Sequence, residues 1–176
     1  MAKIRILSIS ERKAFQSPPV FQPDERARFF EMNEHVKKNI DATKTNTNKI
    51  GYILQLVYFR HTGRFFNPSL FYKQDIAFVC GLLNIDVKSL EMEKYKEHRA
   101  IQDQENILEI LGFQSFDQHE TAQSLLSEEI TRLVSKQVRP KMIFYYLAKF
   151  FFQKKIAMPT YQQVAELIIQ SMHAFE

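Results

Sequence analysis

Residues 45–66 read TNTNKIGYILQLVYFRHTGRFF, a polar and basic entry, an apolar middle and a basic, aromatic exit. Ile50, Ile53, Leu54, Val57 and Tyr58 recur at i, i+3, i+4, i+7 and i+8, the spacing that places side chains on one face of a helix. The pattern predicts a helix with that face in a core. Asn48 and Lys49 fall in its first turn, Arg60 in its last, and Arg64 just beyond Gly63. Polar and cationic groups thus bracket a rigid rod that can present charge to phosphate.

The composition around this stretch points to an all-α chain. Four glycines, no tryptophan and sixteen phenylalanines in 176 residues suit long helices packed through aromatic side chains better than a turn-rich β fold. A 45 % share of hydrophobic residues is enough for a real core. The net charge of +4 mildly favours an anionic partner without identifying one. Cys80, the single cysteine, lies in the apolar run IAFVCGLL, where it reads as a buried structural thiol and fits a reducing cytoplasm. No apolar run has the length of a membrane span, and the opening MAKIRILSISERK lacks a signal-peptide core, so the expectation is a soluble, unexported protein.

Helix signals continue in both directions. Ser17-Pro18-Pro19 ends an N-terminal arm that carries a short helix over 11–16, and Pro23-Asp24-Glu25 resembles a helix start. Asn33 is a natural N-cap for a helix over 33–44, and a polar turn over 45–47 leads into the helix described above. Further helices are expected over 69–83, with Ile76, Val79, Cys80 and Leu83 inward, and over 93–111, with Ile101, Leu108 and Leu111 inward. Asp86 caps a short segment between them, and Gly112 closes the second. The remaining helices read 117–136, with Leu126, Ile130, Leu133 and Val134 inward, then 140–155 and 161–175. The resulting expectation is a multi-helix bundle with a helix-turn-helix-like pair: an arm over 1–22, a helical subdomain over 23–90 and a second over 91–176, the two packed together or continuous.

Charge is unevenly divided. Between Arg132 and Lys155 stand seven cations and no acid, while 91–109 holds six acids against three cations, and 35–49 holds four lysines against Asp41. Two constellations draw on the basic regions. The first is the pair of helices 33–44 and 48–60, whose short connection has helix-turn-helix spacing; in such a unit the second helix sets its first side chains against base edges while lysines hold phosphate. Asn48 can pair bidentately with adenine. An ordinary helical hairpin with a solvated polar face has the same spacing, and spacing alone favours it. The second is RPKMIFYYLAKFFFQKK over 139–155, where aromatic rings can stack on bases between flanking cations. Phe144, Leu147, Ala148, Phe151 and Phe152 also fit a core stripe, which is the plainer reading, leaving Arg139, Lys141 and Lys149 as contacts.

Catalysis finds little support. Histidines 35, 61, 98, 119 and 173 are scattered without metal-ligand spacing, Cys80 lacks companions for zinc, and Glu128 and Glu129 diverge around a helix. There is no glycine-rich phosphate loop and no GxSxG. The chain by itself reads as a non-enzyme without a cofactor.

The run Asn48-Lys49-Ile50-Gly51-Tyr52-Ile53-Leu54-Gln55-Leu56, followed by Arg60-His61-Thr62-Gly63-Arg64-Phe65, resembles the HNRLGFALQL…RYPGRF signature near the N-terminus of transposases of the Tn-three family of bacterial replicative transposons. ILSISERKAF resembles the family's leading LT-x-x-E segment, Ala27-Arg28-Phe29-Phe30 its ARYF, and 95–116 its tyrosine-led helix closing in G-[YF]-x-x-F. Lys155-Ile156-Ala157-Met158-Pro159-Thr160 is similar to its RIILPG-x-[ST]. The resemblance spans nearly the whole chain. It implies the DNA-binding region of a bacterial transposase, cytoplasmic, recognising double-stranded DNA at the terminal inverted repeats. The DDE-type catalytic domain and its divalent metal would lie beyond Glu176. Other transposase domains are implied partners, together with a homodimer. The residues expected to contact DNA are Lys37, Lys38, Lys44, Asn48, Lys49, Arg60, Arg64, Arg139 and Lys141. Lys49 stands where the family has arginine, keeping charge but losing the bidentate fork. The family's TRxxH is largely absent, since Arg99-Ala100-Ile101-Gln102-Asp103 stands in its place. The alternative from another class is a helical protein-docking or oligomerisation module.

Overall fold

Capping chemistry sets most of the helix ends. In the computed structural model, which describes residues 4–117 and 120–175, Asn33 accepts the Val36 N–H at 2.9 Å and starts a helix over Glu34–Ala42. Thr45 accepts the Asn48 N–H at 3.2 Å and starts the next, Asn46–Thr62. Gly63 closes it at φ 75°, a left-handed conformation that glycine adopts freely. The protein is all-α, with α1 (Ile9–Gln16), α2 (Pro23–Phe29), α3 (Glu34–Ala42), α4 (Asn46–Thr62), α5 (Lys73–Leu83), α6 (Glu97–Leu111), α7 (Glu120–Ser135), α8 (Pro140–Gln153) and α9 (Tyr161–Ala174) among the described residues. A two-residue parallel pair, β1 (Gln114–Ser115) with β2 (Ile156–Ala157), interrupts the helices.

Two compact units divide the chain: Ser17–Leu111, and Met1–Gln16 with Gly112–Glu176. The expected boundaries after 22 and 90 differ from these, for reasons of packing that span long sequence distances. At the start, the Leu7 N–H donates to the Tyr161 hydroxyl at 3.2 Å and Phe15 packs edge-on against Phe144. That ties the arm to the C-terminal helices. At the other boundary, α6 belongs with α4 through a buried polar network: the Gln55 amide donates to Tyr95 Oη at 2.8 Å, which donates to Asp103 at 2.6 Å, and Arg99 Nε donates to the same carboxylate at 3.0 Å.

In the Ser17–Leu111 unit, α4 is enclosed on every side. All ten residues from Ile50 to Phe59 are buried, in place of the single inward face expected from its periodicity. Its polar members are satisfied in place. Tyr58 donates to Asp75 at 2.5 Å, and Arg26 Nε donates to the other oxygen of that carboxylate at 2.8 Å. Asp75 is only 1 % exposed, yet both its oxygens are engaged, as a buried carboxylate requires. Burial together with the carboxylate raises the Tyr58 hydroxyl far above its ordinary range. Around these groups, Phe21, Phe29, Phe30, Phe66 and Phe71 pack as tilted or edge-on rings.

Two neighbouring helices also depart from expectation. The helix expected over 69–83 breaks into a 3-10 turn at Pro68–Leu70 and α5, which buries Asp75, Val79 and Cys80. On α6, Ile101 is 47 % exposed, and the buried positions are Ala100, Asp103 and Ile107. Asp103 is held inward by Tyr95 and Arg99, which rotates the helix away from the expected stripe.

The second unit packs α1, α7, α8 and α9 around Leu126, Ile130, Phe144, Leu147, Phe151, Val164 and Ile168. The expected start of α7 at 117 runs into positions 118 and 119, which lie outside the described residues. No helix of the described residues is long and apolar enough to cross a membrane.

Gly51 is fixed by close approach. A Cβ there would stand 2.5 Å from the Tyr95 ring, which is itself held by Gln55 and Asp103 and cannot swing aside. Overpacking costs about 1–3 kcal/mol, partly offset by the ~1 kcal/mol that alanine gains over glycine in a helix. Gly51→Ala is therefore expected to lower the free energy of urea unfolding by up to about 2 kcal/mol; increased stability would contradict this packing.

Candidate nucleic-acid interface

The α3–α4 pair is joined through Thr43, Lys44 and Thr45, an earlier turn than the sequence suggests. Thr43 donates its hydroxyl to the Asn39 carbonyl at 2.8 Å and ends α3; Thr45 then caps α4. The helix consequently begins at Asn46, not at 48, because a threonine cap fixes the first turn two residues earlier. Asn48 and Lys49 remain in the opening turn and a half, both half-buried, while Asn46 is fully presented. Asn46 is a residue the sequence reading passed over, though the Thr45 cap was its signal. Lys37, Lys38 and Lys44 are exposed, with Lys37 3.5 Å from Glu34 in a solvent-facing pair of little energetic weight. Four exposed or half-exposed lysines and two asparagines therefore gather on α3, the turn and the start of α4, where the helix's unsatisfied amides add partial positive charge.

Arg60 and Arg64 are engaged in the fold. The Arg60 guanidinium donates to the carbonyls of Phe29 and Glu31, the latter at 3.1 Å, and so closes the C-terminal end of α2. Burial lowers its pKa. Arg64 lies with its guanidinium 5.2 Å from the centre of the Phe66 ring, and burial brings its pKa down to about 10, leaving it a cation at neutral pH. Both are sited by what they hold together, Arg60 from the exposed surface and Arg64 half-buried, at the opposite end of α4 from Asn48.

Arg139 and Lys141 belong to the other unit, at the start of α8. Arg139 is exposed; Lys141 forms an ion pair with Glu11 of α1. Along α8, Ile143, Phe144, Leu147 and Phe151 are buried, in keeping with a core stripe. Phe152 is the exception to that expectation: one residue beyond Phe151, it turns about 100° around the axis and is 41 % exposed. Met142, Tyr145 and Tyr146 share the open face with it.

Among the described residues, no group of three or more histidine, cysteine or acidic side chains is placed to hold a metal ion. Asp75 and Asp103, the deeply buried acids, are consumed by their arginine and tyrosine partners. Asp75 had a signal in the sequence, four residues before Val79 and hence on the same buried face, and Tyr58 had one in the core stripe of its helix; Arg26 had none.

With this geometry in place, a family model described as Domain of unknown function (DUF4158) matches residues 6–171. The chain belongs to the DUF4158 family. The match runs through both units of this DUF4158 chain, from Ile6 of the arm to Ser171 of α9. A comparison with curated proteins finds no match.

The Glu11–Lys141 pair gives the DUF4158 chain a defined acid response. The hydrogen bond from Lys141, with further donors at Ser8, holds the Glu11 carboxyl down to about 2 from an ordinary 4.5. A folded-state pKa below the unfolded one means the stabilisation is complete above the unfolded value and is lost as pH falls through the folded one. Thermal unfolding of Glu11→Gln is expected to show a lower midpoint than the original chain at pH 7, with the difference shrinking between pH 4.5 and 2. A difference that stays constant down to pH 2 would contradict the pairing.

Proposed function

We propose that this chain is the DNA-binding region of a cytoplasmic bacterial replicative transposase, recognising the terminal inverted repeats of its element. Strand transfer would be the work of a DDE-type domain with its own divalent metal elsewhere in that protein, and this region itself would be neither an enzyme nor a cofactor carrier. The observation that carries the reading is the placement of the family-like signature. Its Asn48 and Lys49 stand at the start of α4, beside exposed Lys37, Lys38, Lys44 and Asn46, while its apolar remainder is enclosed. Such an arrangement leaves only the end of the helix to a partner. Phosphates fit the lysines and the amides of the first turn; the carboxamides of Asn46 and Asn48 fit base edges in a major groove.

Arg60 and Arg64 serve this reading indirectly, by holding the far end of α4. Arg139 would add a phosphate contact from the second unit, while Lys141 is held by Glu11. A docking module is the second reading, favoured by a cleft of about 930 Å³ in the Ser17–Leu111 unit, lined by Phe65, Phe66, Phe71, Met92 and the exposed Ile101. It predicts self-association that is insensitive to the lysines.

Fluorescence anisotropy with a duplex from the terminal inverted repeat, and with a scrambled duplex, separates these readings. Sequence-preferring binding that weakens with salt is expected. Lys44→Ala and Lys49→Ala should each reduce the slope of log K against log salt by about 0.9 for every phosphate that is no longer neutralised. Asn48→Ala should narrow the preference for the repeat by about 1–3 kcal/mol. Equal affinity for the two duplexes would remove the specific claim.

A further inference from the structure

The open face of α8 is an aromatic and cationic strip with no acidic residue in the helix. At 100° per residue, Lys141, Met142, Tyr145, Tyr146, Lys149 and Phe152 fall on one side, opposite buried Phe144, Leu147 and Phe151. Met142 is 57 %, Tyr145 38 %, Tyr146 41 % and Phe152 41 % exposed. A helix of a soluble protein ordinarily turns charged and polar side chains to water. This one turns three rings to water and separates them with lysine. The wider stretch from Arg132 to Lys155 carries seven cations and no acid, so the strip sits in a basic surround.

The neighbours limit which part is available. The Tyr146 hydroxyl donates to Glu129 at 2.7 Å and Arg132 approaches its ring at 6.0 Å, while Lys141 is taken by Glu11. Tyr145 and Phe152 each meet one ring edge-on, Phe144 at 5.9 Å and Phe113 at 6.0 Å, and stay partly open to solvent; with Lys149 they lie on successive turns, and Lys154 and Lys155 are exposed just past the helix. Two exposed rings about two helical turns apart, with an ammonium between them, suit a nucleic-acid strand whose bases have left the duplex stack, each ring taking a base of its own. A paired duplex offers no base face to such rings, and an apolar protein surface has no need of the lysines.

We propose that the Tyr145–Lys149–Phe152 face of α8 holds unpaired DNA, the rings stacking on bases and Lys149, Lys154 and Lys155 following the phosphates. This rests on the DNA-binding reading and narrows it: the α3–α4 lysines take duplex, and α8 takes a strand displaced from it. Base-on-ring stacking tolerates any sequence, so this face adds affinity for unpaired DNA without adding base preference.

The test uses the whole chain, a labelled oligothymidylate and a blunt duplex of the terminal repeat. The chain contains no tryptophan, so Phe152→Trp supplies a single reporter. Its emission should be quenched by oligothymidylate, as stacking requires. Tyr145→Ala and Phe152→Ala should each weaken oligothymidylate binding by roughly tenfold and leave duplex binding and the unfolding midpoint nearly unchanged, with Tyr145→Trp restoring the affinity. Duplex binding without oligothymidylate binding overturns this proposal and leaves the DNA-binding reading standing; failure to bind either one overturns both. Oligothymidylate binding that ignores the alanine substitutions places the strand elsewhere and overturns it. Self-association abolished by Phe152→Ala, with no binding of oligothymidylate, assigns the face to a second copy of the chain and likewise overturns it.

Discussion

The enclosure of α4 governs the whole Ser17–Leu111 unit. Ten consecutive buried residues cannot be served by one neighbour, and α3, α5 and α6 each pack against the helix. Enclosure also forces a solution for the polar atoms carried inside. Tyr58 is matched to Asp75 and Arg26, and Gln55 to Tyr95. The two networks have a common form, an aspartate between a tyrosine hydroxyl and an arginine, one on α5 and one on α6. Each satisfies a buried carboxylate and fixes its helix against α4; removal of one partner leaves the others desolvated and unpaired, which is costly. Gly51 completes the fit by letting the Tyr95 ring lie against the helix.

From this enclosure follows the division of labour along α4. With its flanks covered, the helix has only its ends open, and the two ends differ. The C-terminal end is closed by Gly63, by Arg64 over Phe66 and by Arg60 reaching to the carbonyls that end α2. The N-terminal end opens toward Lys44, Asn46, Asn48 and Lys49 beside the lysines of α3. Cations hold together one end and are displayed at the other. The second unit keeps its own arrangement, with Leu7 and Phe15 of the N-terminal segment built into the helices that close the chain.

Features governed by short-range chemistry were legible in the sequence. Asn33 and Asp86 cap the elements they precede, Gly63 and Gly112 end helices at positive φ, and the all-α class follows from composition. The limits appear where a residue's role depends on a partner far along the chain. Ile50, Ile53, Leu54, Val57 and Tyr58 announce a helix and its inward face, but nothing local says that Gln55 is also inside, because its partner Tyr95 lies 40 residues away. The partners of Asp103, Tyr95 and Arg99, are near in sequence, but Tyr95 is itself held by the distant Gln55, and so the inward turn of Asp103 and the exposure of Ile101 were hidden too. Arg60 and Arg64 have the composition of phosphate contacts and the surroundings of structural groups. On α8 the core stripe was legible in Phe144, Leu147 and Phe151, whereas Phe152, read as part of it, lies outside with Tyr145. Unit boundaries were the least legible feature, since the bond from Leu7 to Tyr161 joins residues 154 apart.

The central claim is that DNA meets the open end of an otherwise enclosed helix. Hydrogen–deuterium exchange with and without the inverted-repeat duplex addresses it directly, because amide protection reports position along the chain. Added duplex should slow exchange in α3, the turn through Thr45 and the first turn of α4, while the interior from Ile53 to Phe59, already protected by burial, should not change. Protection confined to the Arg60–Arg64 end, or no change anywhere in 33–49, would contradict the account.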